Sequence, residues 1–136
     1  MRVLLSCVLV TVMVGAWIAG FAGAKERRRG ENPNLGQVRH VVLFKFKDGT
    51  TPEQIKSVED AFRALPSKIP EIQSLEWGTN MSPEKLDQGF THCFFLTFKT
   101  AADRDAYLPH PAHKAFGKVL RPFLDKVLVV DYVAKD

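Results

Sequence analysis

Two strand segments that are apolar on both faces, each followed by a capped helix, constrain this chain more than any other feature. In Val38–Lys47 (VRHVVLFKFK) the two-residue period puts His40, Val42, Phe44 and Phe46 on one face, and Val41 and Leu43 make the other face apolar too. Phe90–Lys99 (FTHCFFLTFK) repeats the pattern, with His92, Phe94, Leu96 and Phe98 on one face and Cys93 and Phe95 on the other. Such strands need cover on both sides. Thr51-Pro52-Glu53-Gln54 opens the first helix, with Thr51 as N-cap, Pro52 at the first helical position and Gln54 completing a capping box. Ile55, Val58, Phe62 and Leu65 form its apolar stripe, and Pro66 and Pro70 end it. Thr100-x-x-Asp103 opens a shorter helix to Leu108, Pro109 and Pro111 interrupt the chain, and a second helical piece follows from about Ala112 to Arg121. Ile72–Gly78 and Val127–Val133 (VLVVDYV) supply two more strands. The resulting β-α-β-β-α-β order is that of an α+β, ferredoxin-like domain.

The N-terminal part reads differently. Val3–Ala24 is an almost continuous apolar run ending in Ala22-x-Ala24, the pattern of a secretory signal peptide cleaved after Ala24. A run of about 20 apolar residues also suits an uncleaved anchor through residues 3–24, and Lys25 with Arg27–Arg29 behind it opposes translocation of the C-terminal side. Residues 25–37 are polar and read as a disordered spacer, with the domain at 38–136. The expected location is secreted or periplasmic, with the membrane a partner only if the leader stays attached. Net charge is +3 over residues 1–37 and +1 over residues 38–136, so the domain has no basic face for nucleic acid. Cys93 is the only cysteine outside the leader, which excludes an intramolecular disulfide within the mature chain.

The polar residues of the domain are expected to converge. With the first and third strands side by side and parallel, His40 and His92, each third in its strand, sit level at one sheet end. Asp131, late in an antiparallel fourth strand, reaches the same end. The second helical segment, running back from the third strand, delivers Tyr107 through His113 there. Each residue alone has a plainer reading: a hydrogen-bonded core histidine, a core tyrosine, or His110 as a cap for the helix after Pro111. Together they mark a site, since an apolar sheet has no packing reason to gather its ionisable groups at one end. Its floor is expected to be Val42, Phe44, Phe94 and Phe98. The sequence has no HxH, HExxH or CxxC spacing, and His110-x-x-His113 is a weak ligand pair; no metal and no cofactor is expected.

Val38–Lys47, Trp77-Gly78, Phe90-Thr91-His92, Tyr107-Leu108-Pro109-His110-Pro111-Ala112-His113 with Phe116-Gly117, and Asp131-Tyr132 together resemble the Dabb family of stress-responsive dimeric A/B barrel domains, over residues 38–134. The resemblance implies a ferredoxin-like monomer whose sheet packs on that of a second copy, giving a dimeric α+β barrel. The face carrying Val41, Leu43, Cys93 and Phe95 would then be the homodimer interface. Similarity to a plant member that closes a linear polyketide by aldol chemistry implies catalytic roles for His113 and Tyr107, and pocket positions for His40, His92 and Asp131.

Three functions fit. The first is a cofactor-free enzyme acting on a small, mostly apolar compound with carbonyl or phenolic oxygens. His113 would remove a proton α to the carbonyl, and Tyr107 would hydrogen-bond the developing enolate. The second is a non-catalytic ligand-binding or stress-protection dimer. The third is a cofactor-independent monooxygenase.

Overall fold

The computed structural model describes residues 34–135. The apolar leader at 1–24 and residues 25–33 of the spacer lie outside the described residues. The domain reaches back beyond Val38: the Gly36 N–H donates to the Ala134 carbonyl (3.0 Å) and the Ala134 N–H to the Gln37 carbonyl (2.9 Å), tying residues 36–37 to the C-terminal end.

The elements run β1 (Val38–Phe46), α1 (Pro52–Arg63), β2 (Ile72–Thr79), β3 (His92–Phe98), α2 (Ala101–Tyr107), α3 (Pro111–Leu120) and β4 (Leu124–Val133). Both expected capping boxes form. Thr51 Oγ1 accepts from the Gln54 N–H (3.3 Å) while Gln54 Oε1 accepts from the Thr51 N–H (2.9 Å). Thr100 and Asp103 make the same reciprocal pair at 3.2 and 3.0 Å. Each box satisfies backbone donors that an uncapped helix start leaves unpaired.

The sheet order is β2-β3-β1-β4, and every neighbouring pair is antiparallel. This corrects the expected parallel pairing of β1 with β3. The helix α1 carries the chain back along the sheet between β1 and β2, so these two strands run the same way. The loop after β2 then reverses the chain, so β3, lying between them, opposes both. In the resulting register His40 faces Leu96 and His92 faces Phe44. His92 therefore stands four positions along β1 from His40, about 13 Å at strand rise.

Helices cover one face of the sheet. There Val42, Phe44, Phe94, Leu96 and Phe98 meet Val58 and Phe62 of α1, Leu65 just past its end, Tyr107 of α2, and Phe116 and Leu120 of α3. Phe62 stacks on Phe94 with ring centroids 4.0 Å apart and meets Phe116 edge-on at 4.8 Å. The stripe read from α1 is thus its core face. On the other face Val41, Leu43, Cys93 and Phe95 are only half-buried, and Leu128 and Val130 of β4 are about half exposed. That side of the sheet is a continuous apolar surface. Among the described residues, no helix is long and apolar enough to cross a membrane.

Candidate active site

The site is assembled where β3 ends and α2 begins, because Phe98 lies opposite Val38 at the start of β1. Seven residues are too few for α2 to run back along the sheet, so Tyr107 stays at the His40 end. Pro109 and Pro111 then break the chain, and α3 starts there as well, bringing His113. Tyr107 and His113 thus lie at the end expected of them, but by a different path: the direction of β3 is reversed, and the helix expected to carry the chain back is too short to do so.

Tyr107 is buried, with its ring 4.3 Å from that of His113, 5.7 Å from His40 and 5.2 Å from Phe98. Its hydroxyl makes no hydrogen bond among the described residues and is not sealed from the cavity. Burial pushes the phenol well above its ordinary pKa, so it stays a neutral donor. His113 donates its Nδ1–H to the Leu108 carbonyl (2.9 Å). A carbonyl can only accept, so in the neutral ring Nε2 carries the lone pair. His110 is not part of the pair: its Nδ1 accepts from the Ala112 N–H (3.1 Å), making it the N-cap of α3.

On the sheet side Asp131 lies at the same end as His40, as expected, and the two are direct cross-strand partners. The His40 Nδ1–H donates to Asp131 Oδ1 at 2.6 Å. Burial lowers the His40 pKa below its ordinary value, against the opposing pull of the Asp131 carboxylate. Asp131 Oδ2 is held by Arg104 of α2.

His40, Tyr107 and His113 form the polar part of a cavity of about 220 Å³ lined also by Val42, Phe44, Phe62, Leu108, Phe116, Gly117, Leu120, Val127 and Val129. Val42 and Phe44 belong to the floor, as expected. Phe94 and Phe98 do not: both are fully buried one layer back, Phe94 against Phe62 and Phe98 against Tyr107. The expectation that His92 joins the site is also overturned. At the far end of the sheet, His92 donates its Nε2–H to Glu59 Oε1 (3.0 Å), its Nδ1 faces Thr91 Oγ1 (2.8 Å), and Trp77 stacks parallel to it. It holds α1 to β3. The cause is the antiparallel β1–β3 register.

Arg104 and the walls from α1 and α3 go beyond the residues expected from the sequence. Arg104 lies three residues before Tyr107, one helical turn away, and that spacing is the signal that marks it. Among the described residues, no group of three or more His, Cys, Asp or Glu side chains is arranged to hold a metal ion.

An antiparallel β2-β3-β1-β4 sheet with helices on one face, and a histidine–tyrosine cavity between them, is a ferredoxin-like α+β domain carrying a polar-ended pocket. The chain belongs to the stress responsive A/B barrel domain family, Dabb, whose model matches residues 38–134. It is 41% identical over 97 residues to stress-response A/B barrel domain-containing protein HS1 of Arabidopsis thaliana, covering 71% of this chain and 89% of that one. It is 33% identical over 98 residues to olivetolic acid cyclase of Cannabis sativa, covering 72% and 97%. Among solved structures, hydroxynitrile lyase from Passiflora edulis superposes with a TM-score of 0.70 at 29% identity, covering 76% of this chain and 97% of that one. A dimeric ferredoxin-like protein of unknown function from Bacteroides fragilis superposes with a TM-score of 0.61 at 34% identity, covering 74% and 98%.

Proposed function

We propose that this domain is a cofactor-free enzyme that moves a proton at the carbon next to a carbonyl in a small, mostly apolar compound, in the manner of a cyclase or lyase. One observation carries the reading. The Leu108 carbonyl fixes the His113 tautomer with Nε2 as acceptor, the His113 ring lies 4.3 Å from that of Tyr107, whose hydroxyl has no partner among the described residues, and both residues line an apolar cavity. Nε2 takes the proton as the carbon–hydrogen bond breaks, and the electron pair moves onto the carbonyl oxygen. That oxygen, now an enolate, accepts the Tyr107 O–H, a donor already desolvated and needing no reorganisation. The return step puts the proton back on carbon or leaves the enolate to attack an internal carbonyl. A similar cyclase supports this class of chemistry, a similar hydroxynitrile lyase supports acid–base work at a carbonyl carbon on this fold, and the apolar walls favour an alkyl or aryl substituent.

The domain works as a homodimer through the sheet face carrying Val41, Leu43, Cys93 and Phe95, a reading supported by the dimeric neighbour and by the exposed apolar surface. The apolar leader supports export of the folded domain.

Deuterium wash-in at the α-carbon of alkyl β-diketones in D₂O tests the chemistry without knowledge of the natural substrate. Enzyme-dependent exchange is expected, falling about 10²–10⁴-fold in His113→Ala with the fold and oligomeric state unchanged. Exchange that His113→Ala leaves intact refutes the assignment, and ligand binding without exchange favours a binding protein.

A further inference from the structure

Arg104 does not line the cavity, and the proposed chemistry does not use it. Its side chain is nevertheless withdrawn from solvent, 21% exposed, where a helix-surface arginine ordinarily extends into water. Its Nε–H donates to Asp105 Oδ1 (2.8 Å) and an Nη1–H donates to Asp131 Oδ2. The other oxygen of that carboxylate, Oδ1, takes the Nδ1–H of His40. One carboxylate is therefore shared between a permanent cation near the surface and an imidazole in the cavity wall.

We propose that Arg104 is a positioning residue of this site: by occupying Asp131 Oδ2 it holds Oδ1 on His40 and keeps that imidazole neutral, protonated on Nδ1, with Nε2 an acceptor in the cavity wall. The inference rests on reading the cavity as a proton-transfer site. The charge count supports it. With Arg104 present, the His40–Asp131–Arg104 group is neutral when the ring is neutral and carries a net positive charge when it is protonated. Without Arg104 the same protonation neutralises a lone carboxylate, and is favoured. The charged and titratable groups facing His40 are Asp131 from β4, Arg104 and Tyr107 from α2, and His113 from α3, with Asp105 bearing on Arg104. Asp131 alone favours the imidazolium. Burial, His113 and Arg104 oppose it. The consequence reaches the proposed base: a cationic His40 would repel the proton that His113 takes up, and a neutral His40 does not.

The test is the titration of His40 in the full chain, followed by imidazole ¹⁵N NMR, which reports tautomer and charge without a substrate. In the wild type His40 is expected as the Nδ1–H tautomer. In Arg104→Gln its midpoint is expected to rise by at least about 0.5 pH unit. Arg104→Lys keeps the cation and is expected to hold the midpoint near the wild-type value. His92, at the far end of the sheet, serves as the folding reference and stays unchanged. A His40 midpoint that is unmoved or lowered in Arg104→Gln overturns the proposal, as does a Lys variant that titrates like the Gln variant. The proposed chemistry fails separately, through the His113→Ala exchange assay.

Discussion

Tyr107→Phe separates stability from catalysis at this site, and the two are expected to move in opposite directions. The ring itself is fully packed, against His113 at 4.3 Å, Phe98 at 5.2 Å and His40 at 5.7 Å, and phenylalanine keeps all three contacts. Only the hydroxyl is lost, and it has no hydrogen-bond partner among the described residues. An ordinary buried tyrosine loses a hydrogen bond worth about 0.5–1.5 kcal/mol on this change. Here nothing is broken, and a poorly satisfied polar atom is removed from a largely apolar setting, which in proteins costs about 1–3 kcal/mol when fully enclosed. Access from the cavity discounts that cost. The net expectation is a gain of about 0–1 kcal/mol, which for a domain near 100 residues raises Tm by up to about 4–8 °C. Proton exchange should fall about 10²–10³-fold, the usual loss when one oxyanion donor is removed. Urea unfolding with an unchanged m-value, run beside the deuterium wash-in assay, reads both. Destabilisation of more than about 1 kcal/mol would show a hydroxyl already engaged in the fold, and full activity would show that it stabilises no oxyanion.

Leu43→Asp puts a carboxylate on the half-buried apolar sheet face and is expected to yield monomer or aggregate by sedimentation; a soluble dimer of wild-type stability would move the interface elsewhere. His92→Ala should cost about 1–3 kcal/mol, because it leaves Glu59 unpaired, yet spare the exchange rate; a loss of exchange with the fold intact would return His92 to the site. Stability should also depend on pH through His40. Its folded pKa lies below the ordinary 6.5, so between the two values the unfolded chain binds more protons. Stability therefore rises with pH up to about 6.5 and is lost on acidification below it. His40→Gln should flatten that part of the urea-midpoint profile, and an unchanged slope would assign it to other groups.

Features decided within one turn of chain were legible in the sequence. The two capping boxes and the two-sided strands follow from spacing and form as read, and the α1 stripe packs into the core as read, though the helix ends at Arg63 and leaves Leu65 just beyond it. That Asp131 reaches the His40 end was legible as well, since it needs only that β4 lie antiparallel beside β1; its pairing with His40 was fixed by the register. Strand direction in the middle of the sheet was not legible. The period of β3 is the same whichever way the strand points, and its direction is set by the β1-α1-β2 crossover before it and by its antiparallel pairing with β2. That error moved His92 four positions along β1 from His40, while Tyr107 and His113 kept their expected end because a second difference offset the first: β3 ends beside His40, and the seven-residue α2 is too short to carry the chain away from it. Arg104 escaped notice because an arginine on a short helix reads as solvated until the strand carrying its partner carboxylate is placed.

The proposed base and its phenol lie six positions apart on one short stretch, and the contacts that shape it are local. The His110 N–H bonds to the Tyr107 carbonyl (3.1 Å), and the His113 ring is tethered to the Leu108 carbonyl. The floor and much of the wall facing them come from β1, α1 and β4, elsewhere in the chain, with α3 adding Phe116, Gly117 and Leu120 just past His113. Chemistry and selectivity are thus encoded in separable parts of the sequence. Descent with modification can resize the cavity through Val42, Val127 or Val129, and so change which compound fits, while the acid–base pair is inherited intact as a cassette of a few residues.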